Sequence, residues 1–150
     1  MAMWSSKVPD ERDWCASGLD LDHLYAQKRF EGKTWEEALP LFIANPSAAA
    51  EDLMCMPEVP FQYYMRAWES VLIVETEPDK FEWTTAASEF LNLVESKIQD
   101  RPADILPIMD SVFLIAEYVA NHQEPYDVEP TVFGTWQKQL ERIRVRYNEI

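Results

Sequence analysis

Few side chains in this 150-residue sequence are of the kinds that carry chemistry, and their spacing decides what each could do. The histidines are His23 and His122. His23 follows Asp20 by three residues, so on a helix both project from one face. Helical metal centres use carboxylate and imidazole at such spacing, because the helix aims both at one ion. A di-iron bundle needs two Glu-x-x-His pairs, and this chain has none. The expectation is a surface histidine beside a helix cap, with no metal and no other cofactor. His122 falls at a helix exit, where a cation favours the helix dipole.

Asp104, Asp110 and Glu117 interrupt an otherwise apolar stretch. Asp110 and Glu117 are seven residues apart and project to the same side of a helix, two turns from each other. Facing the core they would need partners or shifted protonation, which would suggest an enzyme or a metal-binding bundle. Facing water they are the wet stripe of that helix, which is the favoured reading. Of the two cysteines, Cys15 has only Arg12 as a nearby cation in sequence, and Cys55 lies between Met54 and Met56 as a core residue would. A catalytic thiol needs a positive surrounding and a base, so neither is expected to be a nucleophile. No CxxC or metal spacing occurs, and two cysteines make no disulfide framework.

Zincin, phosphate-loop, nucleophile-elbow and EF-hand patterns are missing from the sequence. Three glycines are too few for a phosphate cradle or a dinucleotide fingerprint. Twenty-seven acidic residues against 13 basic ones give a net charge of -14 and an isoelectric point near 4.4. Such a chain repels phosphate backbones and anionic membrane surfaces, so neither nucleic acid nor membrane is an expected partner. A basic protein is.

The acids are unevenly laid out. Glu69, Glu75, Glu77, Asp79, Glu82, Glu89 and Glu95 fall within residues 67–96, where Lys80 is the only base. The turn over residues 74–83 is therefore a dense negative tip with Phe81 and Trp83 beside it. Charge steers an approaching cationic partner and an aromatic side chain anchors the contact. Glu75, Glu77, Asp79, Phe81, Glu82 and Trp83 are the expected partner-binding residues. The competing reading makes these acids the solvated faces of two antiparallel helices. Toward the C-terminus the sign reverses, with Lys138, Arg142 and Arg146 spaced by four along one helix face.

The elements that position these groups are helices separated by prolines. The first 19 residues are expected to be largely irregular, with a short turn around residues 10–15. Asp20 caps a helix carrying Leu21, Leu24, Tyr25 and Lys28 on one side, and Gly32 ends it. Thr34 and Glu37 make a capping box, and the helix behind it should stop or kink at Pro40. Asn45-Pro46-Ser47 reads as a turn, with Ser47 capping a short helix ended by Pro57. Pro60 opens a longer helix with Phe61, Tyr64, Met65, Trp68 and Leu72 on one stripe.

Asp79 and Glu82 then cap a helix striped with Trp83, Ala87, Phe90, Leu91, Val94 and Ile98, ending at Arg101-Pro102. Residues 106–121 are apolar almost all round, as in the buried centre of a bundle. Phe133, Trp136, Leu140, Ile143 and Tyr147 repeat at alternating threes and fours in a last helix over residues 131–148, a seam that docks into its own core or joins a homodimer.

Apolar residues at 47% and aromatics at 13% suffice for a core. No strand pattern, signal peptide or membrane-length apolar run is read in the chain. The sequence therefore predicts an all-α, compact single-domain bundle of five to seven helices with short Pro-marked loops, spanning residues 1–150 and cytoplasmic. The expected role is non-catalytic: an acidic protein-binding module, of the inhibitor or immunity type, that masks a basic toxin or effector. That expectation rests on size and charge alone. The alternatives are the carboxylate enzyme or metal-binding bundle above and a structural homo-oligomer.

Overall fold

The computed structural model describes residues 4–14, 21–73, 80–122 and 136–149. Ten α-helices and one 3-10 turn follow in order, and no strand occurs among the described residues. They are α1 (Glu11–Trp14), α2 (Leu21–Phe30), α3 (Trp35–Ala44), α4 (Pro46–Met54), α5 (Glu58–Tyr64), α6 (Ala67–Leu72), α7 (Lys80–Asp100), α8 (Pro102–Ile105), the 3-10 turn (Leu106–Ile108), α9 (Met109–Asn121) and α10 (Trp136–Glu149). The all-α bundle expected from the pattern is what the chain forms, with eight helices of six residues or more. The long helix α7 is its axis, touching α4, α6, α8, α9 and α10.

Local chemistry explains most helix ends. Thr34 Oγ1 accepts from the Glu37 N–H at 3.0 Å and Glu37 Oε1 from the Thr34 N–H at 2.9 Å, the reciprocal box read from the sequence. Those bonds hold the Glu37 carboxyl below its ordinary range, the Thr34 amide first among the causes. Asp10 and Asp13 make a similar exchange at the start of α1. Gly32 takes φ +82°, where a side chain would be strained, and ends α2.

Three local expectations change. Pro40 does not break α3, which runs on to Ala44. A proline removes one N–H from the ladder, and here the capping box before it and buried Ala38 and Phe42 around it hold the turn together. Asn45, not Ser47, caps α4: its Oδ1 accepts from the Ala48 N–H at 3.1 Å with Pro46 in the first helical position. Ser47 instead donates to Glu89 on α7. Among the described side chains of α2 the buried ones are Ala26 and Phe30, whereas Leu24 and Tyr25 face solvent.

The helix expected from Pro60 is two helices. Trp68 and Glu69 donate to the carbonyls three residues back, Met65 and Arg66, which tightens the chain by one turn between α5 and α6. The stripe survives the bend, since Phe61, Tyr64, Met65, Trp68 and Leu72 are all buried. They join one continuous apolar cluster running from Trp14 to Ile143. Its aromatic centre is edge-on packing: Phe42 against Trp68 at 4.9 Å, Phe30 against Tyr64 at 5.0 Å and Tyr63 against Tyr64 at 4.9 Å between ring centroids.

Tyr64 also fastens the end of α2. Its hydroxyl donates to the Phe30 carbonyl at 2.7 Å and lies 2.6 Å from that of Lys33. Burial, helped by nearby Tyr63, Glu37 and Glu31, raises the pKa of this hydroxyl above the ordinary tyrosine value of 10.0. A raised folded-state pKa contributes stability that is fully present below pH 10.0 and lost as the pH climbs beyond it, because unfolding then releases the proton. Tyr64→Phe is expected to lower stability at neutral pH by about 0.5–1.5 kcal/mol, the net worth of one buried hydrogen bond, since the Phe30 carbonyl still accepts from the Lys33 N–H at 3.0 Å. The variant should also lose less stability than the parent above pH 10.0, measured by urea unfolding at both pH values. Equal alkaline slopes in the two proteins would show that Tyr64 is not the titrating group.

Candidate interaction surface

The acidic tip begins where α6 ends and α7 starts. Glu75, Glu77 and Asp79 lie outside the described residues, as does the side chain of Phe81, which falls in the first turn of α7. Glu82 is exposed in the same turn. Trp83 is half-buried and already engaged: its indole N–H donates to the Leu72 carbonyl at 3.0 Å, and its ring meets Trp136 edge-on at 5.7 Å. It thereby clamps the end of α6, the start of α7 and the start of α10 to one another. Only its outer part is open for a partner to touch.

The other acids of the 67–96 stretch point to separate neighbours. Glu69 accepts from the Trp4 indole at 3.3 Å, which pins the N-terminal segment to α6. Glu89 accepts from Ser47 at 3.0 Å, tying α7 to α4. Glu95 receives Arg142 through two nitrogens, at 2.8 and 3.3 Å, and Gln139 at 3.2 Å, all from α10. A single continuous face does not include these three. Among the described residues Glu36, Glu51, Glu58, Asp100 and Asp110 are exposed acids that make no ion pair there.

Among the described residues six cations are tied into ion pairs with the chain's own acids. Arg29 reaches Asp52 at 2.8 Å between α2 and α4, at ion-pair distance but with the N–H misaligned for a hydrogen bond. Burial pushes the Asp52 carboxyl up even so. Arg101, Arg142 and Arg144 pair with Asp104, Glu95 and Glu141.

The apolar stretch after Pro102 sorts its three carboxylates differently from one another. Asp110 is exposed and Glu117 half-buried, so Asp110 stands on the wet side of α9 and gives no reason to invoke buried-carboxylate chemistry there. The buried acid is Asp104, and its partner is Lys97, a fully buried lysine. Lys97 Nζ donates to Asp104 Oδ2 at 2.8 Å and sits 4.5 Å above the Phe61 ring. Burial lowers the ammonium pKa below the ordinary lysine range, with Asp104 and the half-buried Cys55 thiol pulling the other way. The sequence did carry a signal for it. Lys97 stands on the same apolar stripe as Phe90 and Val94, where a lysine needs an anion at hand.

His122 stacks on Tyr118 with ring centroids 4.0 Å apart, and its Nδ1 lies 2.7 Å from the Tyr118 carbonyl. Asp20, Cys15 and the side chain of His23 lie outside the described residues. No group of three His, Cys, Asp or Glu side chains stands close enough to hold a metal ion among the described residues, and no helix there is long and apolar enough to cross a membrane. Neither a protein-family model, nor a curated protein, nor a solved structure matches this chain.

Proposed function

We propose that this chain is a non-catalytic, acidic protein-binding module of the inhibitor or immunity type, which captures and masks a basic protein in the cytoplasm. The observation that carries the reading is how charge is spent. The chain has a surplus of 14 negative charges, and among the described residues six of its cations are tied into ion pairs with its own acids. What is left for a partner is negative. Long-range attraction of that kind speeds association with a cationic surface and disfavours anionic ones.

Contact is assigned to the tip of Glu75, Glu77, Asp79, Phe81, Glu82 and Trp83. Trp83 is held rigidly by Leu72 and Trp136, so its outer edge is an anchor that loses little freedom on binding. Capture of a basic protein from the source cell at low salt, released at high salt, is the expected result. Glu77→Lys with Asp79→Lys should weaken capture by about tenfold or more, because like charge facing a cationic partner costs several kcal/mol. Undiminished capture by that variant would remove the tip from the interface, and retention of no basic protein at all would remove the role.

A further inference from the structure

Helix α9 turns Met109, Val112, Ile115, Ala116 and Val119 into the core. At about 3.6 residues per turn the opposite side is Asp110, Leu114, Glu117 and Asn121. Phe113 and Tyr118, both half-buried, border this stripe on its two sides. Leu114 is 63% exposed, more than any other large apolar side chain among the described residues. A single leucine on a surface needs no explanation. Here it lies between two aromatic rings, so three apolar side chains form one strip.

The charges around the strip select what can cover it. Asp110 and Glu117 bracket Leu114 along the helix, and neither makes an ion pair among the described residues. Helix α9 itself carries no base. Arg144 of α10 lies above the Phe113 ring at 5.4 Å, and its ion pair is with Glu141. An uncharged apolar occupant would strip water from the acids and give nothing back. A second copy would set acid against acid, Asp110 against Glu117 twice if the helices ran antiparallel. Anionic bilayers and phosphate backbones are repelled. The occupant that fits brings a cation on each side of an apolar side chain.

We propose that the outer face of α9 docks a basic amphipathic helix of a protein partner. Its apolar side chain covers Leu114, and two lysines or arginines seven residues apart meet Asp110 and Glu117. Seven residues of helix rise about 10 Å, so two turns of the partner reproduce the spacing of the acids. An apolar helix face laid on a complementary strip is a common mode of peptide recognition, and flanking charges fix its register. The proposal rests on the reading above in taking the partner to be a basic protein, but it names a different surface from the tip.

Isothermal calorimetry of the full chain with a synthetic peptide of about 18 residues, long enough for a helix and built on Lys-x-x-x-Leu-x-x-Lys, tests the surface at physiological ionic strength. The peptide should bind at least about tenfold more tightly than one of the same composition with its period scrambled, which cannot place both cations on the two acids. Asp110→Lys with Glu117→Lys should weaken binding by about tenfold or more. Leu114→Gln should weaken it by about fivefold, through lost apolar burial. Glu77→Lys with Asp79→Lys changes the net charge equally and should bind the peptide as the wild type does. Circular dichroism confirms that each variant is folded, and Leu114 is exposed enough to be replaced without disturbing the core. A wild type that ignores the peptide, equal binding of the scrambled peptide, undiminished binding by the α9 variants, or loss of binding in the tip variant instead would each overturn the proposal. Capture of a basic protein from the source cell is a separate measurement, so failure of that role and failure of this surface are told apart.

Discussion

Lys97→Ala lowers the unfolding free energy by about 3–5 kcal/mol, the usual cost of removing one partner from a buried ion pair. The cost comes from what stays behind rather than from the bond lost. Asp104 is buried, and of its two cationic partners Lys97 is the close one at 2.8 Å, while Arg101 at 3.3 Å is half in solvent. Without the ammonium the buried carboxylate keeps only Arg101, which is half in solvent, so most of its desolvation goes uncompensated. The two-residue replacement Lys97→Met with Asp104→Leu separates the explanations. It removes both charges and keeps the volume, so it should return to within about 1–2 kcal/mol of the parent, or exceed it. Urea unfolding of the parent, Lys97→Met, Asp104→Leu and the double variant closes the cycle. If the double variant is as unstable as Lys97→Ala, the pair is stabilising in its own right and the desolvation account fails.

The same pair sets a pH signature. Burial lowers the Lys97 pKa in the folded state, so the unfolded chain binds its proton more tightly. Stability therefore rises with pH between the depressed folded value and the ordinary 10.5, which is the reverse of the Tyr64 contribution above pH 10.0. Lys97→Met abolishes the first limb and leaves the second.

Much of the fold was legible because it is written in local chemistry. Thr34 and Glu37 three residues apart, Gly32 after a helical run and the stripe from Phe61 to Leu72 each specify their structure within one or two turns of chain. The misreadings share a cause, which is tertiary context outweighing a local rule. Pro40 sits in an unbroken helix because Ala38 and Phe42 pack on either side of it. Leu24 and Tyr25 are exposed because the small Ala26 and the terminal Phe30 fit the core instead. A periodicity count weights leucine and tyrosine above alanine and so turns α2 the wrong way.

Sites were harder to read than helices. Local pattern shows that Glu69, Glu89 and Glu95 are acidic and near the tip in sequence. It does not show that Trp4, Ser47 and Arg142, each more than 40 residues away, reach them. The pairing of Lys97 with Asp104 spans only seven residues, yet it crosses the break at Arg101-Pro102, so no single-helix rule joins the two. On the outer face of α10 the reverse holds. Its charges follow a helical rule that the sequence shows plainly, and the structure adds which face is left outward.

Trp68→Ala is the second large effect, at about 3–5 kcal/mol for removing a buried tryptophan. Trp68 is fully buried between Phe42, edge-on at 4.9 Å, and Phe90, tilted at 5.8 Å, so it links α3, α6 and α7 at the centre of the aromatic cluster. Its indole N–H finds no acceptor among the described residues, and an unpaired buried donor costs about 1–3 kcal/mol. That cost makes the conservative change informative. Trp68→Phe gives up ring area and leaves some free volume, but it also removes the unpaired donor, and the two terms oppose. The expected loss for Trp68→Phe is under about 1.5 kcal/mol, close to that of a volume-conserving swap and far below that of alanine. Thermal unfolding of both variants measures the difference. If phenylalanine proves nearly as damaging as alanine, the N–H is hydrogen-bonded in solution and Trp68 holds the three helices by more than its packing.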